Sequence, residues 1–122
     1  MSLIRSYGEN SWSLSENGKT ILTVQEIANN GEIQVGLTGS LRSDTEQFLQ
    51  DELVALATVG MDIVVDCQGL NYIANSCMNA LLSVQQKIDS MQKGNSLVLC
   101  NVPENIYSEM MKLNLHELLM IN

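Results

Sequence analysis

Polar and apolar positions alternate most cleanly over Ile33, Val35 and Leu37, which are separated by Gln34 and Gly36 and preceded by Glu32. A period of two places the apolar side chains on one face of a strand. Two asparagine–glycine pairs precede this run. Asn17-Gly18 separates Trp12–Ser15 from Thr20–Ile27, and Asn30-Gly31 separates Thr20–Ile27 from Glu32–Gly39. Asn-Gly supplies the positive φ angles of tight hairpin turns, so a three-strand meander is predicted. Trp12 is expected to cover the edge of the core.

The period then changes. Ser43-Asp44-Thr45-Glu46 reads as a capping box, with Ser43 capping an amide and Glu46 reaching back. Phe48, Leu49, Leu53 and Leu56 follow at helical spacing, and Gly60 stops the helix. Asp62–Asp66 is predicted to be a short buried strand. Cys77, Leu81, Val84, Ile88 and Met91 form a second helical stripe, which Gly94 ends. Ser96–Cys100 reads as another strand. Pro103 suits the first turn of a third helix that turns Ile106, Met110 and Leu113 inward. Leu118–Ile121 is a final strand or extended tail. A hairpin followed by alternating strands and helices predicts an α/β fold. Its sheet is mixed, its helix-linked strands are parallel, and its helices pack mainly on one side.

Composition narrows this reading. The 122 residues suit one domain spanning 1–122, with 1–10 expected to be disordered or an expression remnant. The net charge of −8 argues against nucleic acid and against anionic membrane as partners, because both are polyanions. Three cysteines without paired spacing point to free thiols in a reducing, cytoplasmic setting. No apolar run approaches the roughly 20 residues needed to span a bilayer, so no direct membrane insertion is expected.

The segment from Leu70 to Leu82 concentrates the candidate chemistry. It reads as the end of a strand, a loop and a helix start, with small polar residues at the junction. Helix starts present unpaired amides and a positive dipole end. Asn75 is a good N-cap. Ser76 offers a hydroxyl beside it, and Cys77 a thiol whose pKa a helix start lowers. A thiol enzyme also needs a positioned base, and the chain's one histidine, His116, lies far along the sequence. No Cys/His group has metal-ligand spacing and no Gly-rich phosphate loop is present, so neither a metal nor another cofactor is expected. Cys67 and Cys100 read as small core residues. Asp44, Glu46, Asp51 and Glu52 read as a solvated acidic helix face.

Three segments together resemble the STAS domain, the sulfate-transporter and anti-sigma-factor-antagonist fold. They are Leu37–Leu41 with the helix after Thr45, Ile63–Ile73, and Ser96–Pro103 running on to Leu113 and Leu118. The resemblance covers roughly Thr20 to Ile121. Antagonists of this family carry Asp-Ser-Ser/Thr-Gly before the second helix, and a kinase that is also the anti-sigma factor phosphorylates the first hydroxyl. The matching residues here are Ala74, Asn75, Ser76 and Cys77. The carboxylate is gone, the usual acceptor is an asparagine, and only Ser76 keeps a hydroxyl as candidate phosphoacceptor.

The resemblance implies a non-enzymatic regulatory module that binds an anti-sigma factor or related serine kinase. The expected partner-binding residues are Gly39, Ser40, Leu41, Ala74, Asn75, Ser76, Cys77, Met78 and Asn79. Met78 is expected to be an exposed apolar contact. Ser76→Asp is expected to weaken the partner and leave folding intact, because an acidic first turn suits the helix dipole. The alternatives are a soluble STAS subunit of a membrane transporter assembly and a sensor of a nucleotide or lipid head group.

Overall fold

A computed structural model describes residues 3–122. The strands are β1 (Ile4–Gly8), β2 (Ser11–Glu16), β3 (Lys19–Asn29), β4 (Glu32–Leu41), β5 (Asp62–Ile73), β6 (Leu97–Cys100) and β7 (Met120–Ile121). The helices are α1 (Glu46–Thr58), α2 (Asn75–Met91) and α3 (Glu104–Lys112), with a 3-10 turn at Leu115–Glu117. The strands form one sheet in the order β1-β2-β3-β4-β5-β6-β7. The first three pairings are antiparallel and the last three parallel. Strand order never reverses across the helical connections. Right-handed crossovers therefore leave α1, α2 and α3 on the same face.

The expected turns form as written. Asn17 and Gly18 have φ of 53° and 77°, and Asn30 and Gly31 have 50° and 82°. The meander has one strand more than predicted, because Ile4–Gly8 pairs with β2 at the sheet edge. The expectation that residues 1–10 are disordered therefore fails for 4–8, while Met1 and Ser2 lie outside the described residues. Trp12 is buried, with Leu14, Leu22, Val24, Val35 and Leu37 beside it in one core. On the opposite face, Gln25, Gln34, Thr38 and Gln68 lie open to water.

Two local expectations change at helix ends. No capping box forms at α1. Thr45 is completely buried and its hydroxyl donates to the Arg42 carbonyl at 2.8 Å, so the helix begins at Glu46 without a side-chain cap. At the other end Gly60 takes φ 85°, and the Asn95 amide donates to the Ala57 and Met61 carbonyls at 3.1 and 3.0 Å. Leu113, expected inward, is 41% exposed just beyond α3.

The largest difference lies in β5, which is 12 residues long. Asp66 pairs with Gly36, but Gly69 pairs with Thr38 and Tyr72 with Ser40. Two extra residues are thus accommodated, at Cys67–Gln68 and at Asn71. These irregularities turn the buried positions to Cys67, Leu70 and Ile73, a spacing of three rather than two. Asp66 braces the first one, its Oδ1 accepting from the Gln68 amide at 3.0 Å and Asn101 Nδ2 at 3.2 Å. Gly69 is required there, because a Cβ would lie 2.7 Å from the Leu37 carbonyl oxygen.

Candidate functional site

The C-terminal ends of β4 and β5 carry the chain into α1 and α2. In open α/β sheets this is the end where sites are built. β5 runs to Ile73, so the expected loop shrinks to Ala74 and α2 starts at Asn75. The Ala74 amide donates to the Leu41 carbonyl at 2.8 Å and ties the helix start to the end of β4. Ala74, not Asn75, occupies the cap position, and no side chain caps the first turn. The first amides of α2 are therefore left to solvent or to a partner.

One carbonyl stitches the two helix starts together. Arg42 O accepts from the Thr45 amide at 3.0 Å, the Thr45 hydroxyl at 2.8 Å and the Cys77 thiol at 3.1 Å. The Arg42 side chain meanwhile pairs with Asp44 and reaches Glu16 at 3.4 Å. The Asp44 carboxyl is held below its usual range, first by the hydrogen bond from Arg42.

Cys77 is thus a structural donor, and burial pushes its thiol up to about 11 rather than down. Burial raises Cys67 as well, to about 12, and raises Cys100. The expectation of an activated thiol at α2 is corrected: removal from water outweighs the helix dipole. Alkylation at about pH 8, followed by intact mass, is expected to modify half-buried Cys100 first and to leave Cys67 and Cys77 intact until unfolding. Fast modification of Cys77 in the folded chain would contradict this.

The expected partner-binding residues divide into two groups. Leu41, Cys77 and Met78 are 0%, 2% and 1% exposed and belong to the core, so none of them presents a contact surface. The buried stripe of α2 is wider than the sequence suggested: Cys77, Ala80, Leu81 and Val84 line the seam with α1, and Met78 and Gln85 are buried as well. Asn75 and Asn79 are exposed, and Ala74, Gly39 and Ser40 are half-buried. Ser76 is half-buried as a residue, but its Oγ is shut off from solvent and has no hydrogen-bond partner.

A second feature was not foreseen from the sequence. A groove of about 430 Å³ runs beside the start of α2, lined by Asn71, Tyr72 and Asn75 on one wall and by Asn105 and Glu109 of α3 on the other. Tyr72 is 53% exposed. The Ser40 hydroxyl donates to Asn71 Oδ1 at 2.8 Å, which orients the amide and leaves its NH₂ free to donate. Glu109 pairs with Lys112 at 3.1 Å on the rim. The groove brings side-chain amides, a phenol and a carboxylate to one opening. It contains no nucleophile with an adjacent base. Among the described residues no group of three or more His, Cys, Asp or Glu is placed to hold a metal ion, and no helix is long and apolar enough to cross a membrane.

This fold, with the paired starts of α1 and α2 at one end of a mixed sheet, is that of STAS domains. The chain belongs to the family described as Mlab, STAS domain, whose model matches residues 25–121. Solved structures with the same arrangement include an anti-sigma factor antagonist from Mycobacterium paratuberculosis. It has 13% identity over 82% of this chain and 84% of that one, with a TM-score of 0.72. The anti-sigma factor antagonist SpoIIAA in its unphosphorylated form has 14% identity over 81% of this chain and 87% of that one, with a TM-score of 0.67. The murine Solute Carrier 26 family member A9 anion transporter matches 84% of this chain with 18% of its own length, at 16% identity and a TM-score of 0.59. At these identities the likeness is one of fold. No curated protein sequence matches the chain.

Proposed function

We propose that the chain is a non-enzymatic STAS module that docks on a protein partner through the start of α2 and the groove beside it, without a phosphorylation switch. The observation that carries this reading is the state of the hydroxyl positions. The residue matching the usual acceptor is Asn75, and the Ser76 hydroxyl is sealed from solvent. A kinase needs an exposed oxygen, and the Ser76 side chain would have to leave this rotamer to provide one. The partner of the antagonist reading is an anti-sigma factor of the serine-kinase type. The groove is lined by amides and an acidic residue, so it suits a hydrogen-bonding segment bearing a basic side chain.

The same observation favours a second reading. A module that cannot be released by phosphate fits a permanent subunit, and the alternative is a soluble STAS subunit of a membrane transporter assembly. Support comes from the likeness to part of an anion transporter. The two readings share one docking face and differ in the protein bound to it.

The test is binding of the isolated partner before and after treatment with ATP and an anti-sigma-class serine kinase. Unchanged binding and no phosphate on Ser76 by mass spectrometry are expected; phosphate on Ser76 that abolishes binding would sink the proposal. Ser76→Ala is expected to leave stability within about 0.5 kcal/mol, because the hydroxyl lies near the Cys77 thiol without forming a proper hydrogen bond, and that thiol keeps its bond to the Arg42 carbonyl. Ser76→Asp is expected to cost about 1–3 kcal/mol of stability in urea unfolding, since a carboxylate would replace a sealed oxygen. The sequence-based expectation that this substitution spares the fold is thereby revised.

A further inference from the structure

Far from the α2 groove, four elements bring polar side chains together on the helix-covered face of the sheet. Arg5 of β1 stacks its guanidinium 4.1 Å above the centroid of the Trp12 ring on β2 and lies 5.0 Å from that of Tyr7. Its Nη2 is 3.6 Å from Glu52 Oε1 of α1. Glu26 of β3 lies against Glu52, two carboxyl groups in one partly buried place. The β4 residue in register with Glu26 is the neutral Val35. Three buried polar atoms here lack hydrogen-bond partners: Arg5 Nε, Trp12 Nε1 and Glu26 Oε2. The Trp12 N–H lies near Glu26 without forming a proper hydrogen bond, yet close enough to favour the anion. Arg5 and Trp12 also fall outside the segment that matches the family, residues 25–121.

We propose that Arg5, Trp12, Glu26 and Glu52 form a proton-operated clasp that holds the edge strand β1 against α1. With one proton shared by the two carboxyl groups, Glu26 donates to Glu52 and a single negative charge faces the single guanidinium. When that proton is lost to solvent, two carboxylates face one cation in a partly dehydrated site, and the excess charge repels. β1 is the element that yields. It is a five-residue edge strand, paired on one side only. Unpartnered buried atoms lower the cost of opening the cluster further.

Burial first, then the hydrogen bond and the charge of Glu52, push Glu26 up to about 7 from an ordinary 4.5. The raised value means that the folded chain holds the proton more tightly than the unfolded one. This contribution to stability is fully present below about pH 4.5 and is lost as pH rises through about 7.

Trp12 is the only tryptophan, and it sits under Arg5, so its fluorescence reports the clasp. A titration of the full chain from about pH 5 to about pH 9 is expected to show a red shift of emission centred near pH 7, with far-UV circular dichroism largely unchanged. Glu26→Gln, which mimics the protonated form, is expected to be flat over that range. Glu52→Gln is expected to move the midpoint to lower pH, because the second carboxylate is gone. His116→Asn, at the other end of the sheet, is expected to keep the wild-type curve. A flat wild-type titration, an inflection that survives in Glu26→Gln, or one abolished by His116→Asn would overturn the clasp.

Discussion

Gly39→Ala is expected to destabilise the fold by about 2–4 kcal/mol, more than any other single change among the site residues. Gly39 lies in β4 at φ 112°, a backbone conformation that side chains rarely adopt, and a Cβ there would drive into the carbonyl of Ile21 on β3. Strain and collision therefore add. Neither can relax cheaply, because β4 is hydrogen-bonded to β3 on one side and β5 on the other. The change also lies next to Ser40, which orients Asn71, so any effect on binding must be read against stability. Urea unfolding measures the loss, with a shifted midpoint at constant slope. A loss under about 0.5 kcal/mol would mean that the β3–β4 approach at this point is looser than described.

Tyr72→Ala is expected to reduce partner affinity by about 2 kcal/mol, a loss typical of a central aromatic contact. Tyr72 is half-exposed on the wall of the α2–α3 groove, beside the oriented Asn71. Its removal opens no core cavity, so stability should change by no more than about 0.5 kcal/mol. Asn75→Arg is expected to act in the same direction. It places a cation at the positive end of a helix and in the path of a basic partner segment. Calorimetry with the purified partner separates binding from folding in both variants.

How far the sequence discloses this molecule depends on where each signal resides. The Asn-Gly turns, the alternation of Ile33, Val35 and Leu37 and the α2 stripe are local, and they appear where expected. β1 carries no such signal. As an edge strand with Ile4 and Tyr7 largely exposed, it has no apolar period to detect. The irregular half of β5 is hidden for another reason. Gln68, Gly69 and Asn71 have the composition of a loop, and only pairing with β4 makes that stretch a strand. Local propensity lost to tertiary hydrogen bonding there.

The sequence pointed to the start of α2 as the candidate docking surface, but which of its side chains reach that surface was only half legible. Leu41, Cys77 and Met78 looked available because they flank polar residues, yet all three belong to the buried core. Asn105 and Glu109 come from α3, some thirty residues further along the chain, and no spacing rule joins them to Asn75. Tyr72 left a trace: an aromatic between polar Asn71 and the helix start is a candidate for exposure.

The most direct test of the docking account is comparative capture of the purified partner on immobilised wild type, Tyr72→Ala and Val59→Ser, with and without ATP. Val59 is 71% exposed just beyond the end of α1, away from the groove, and serves as the control for surface hydrophobicity. The account predicts that capture falls at least about tenfold with Tyr72→Ala, stays at the wild-type level with Val59→Ser, and does not respond to ATP. Equal capture by wild type and a folded Tyr72→Ala would contradict it and move the docking surface away from the α2 groove.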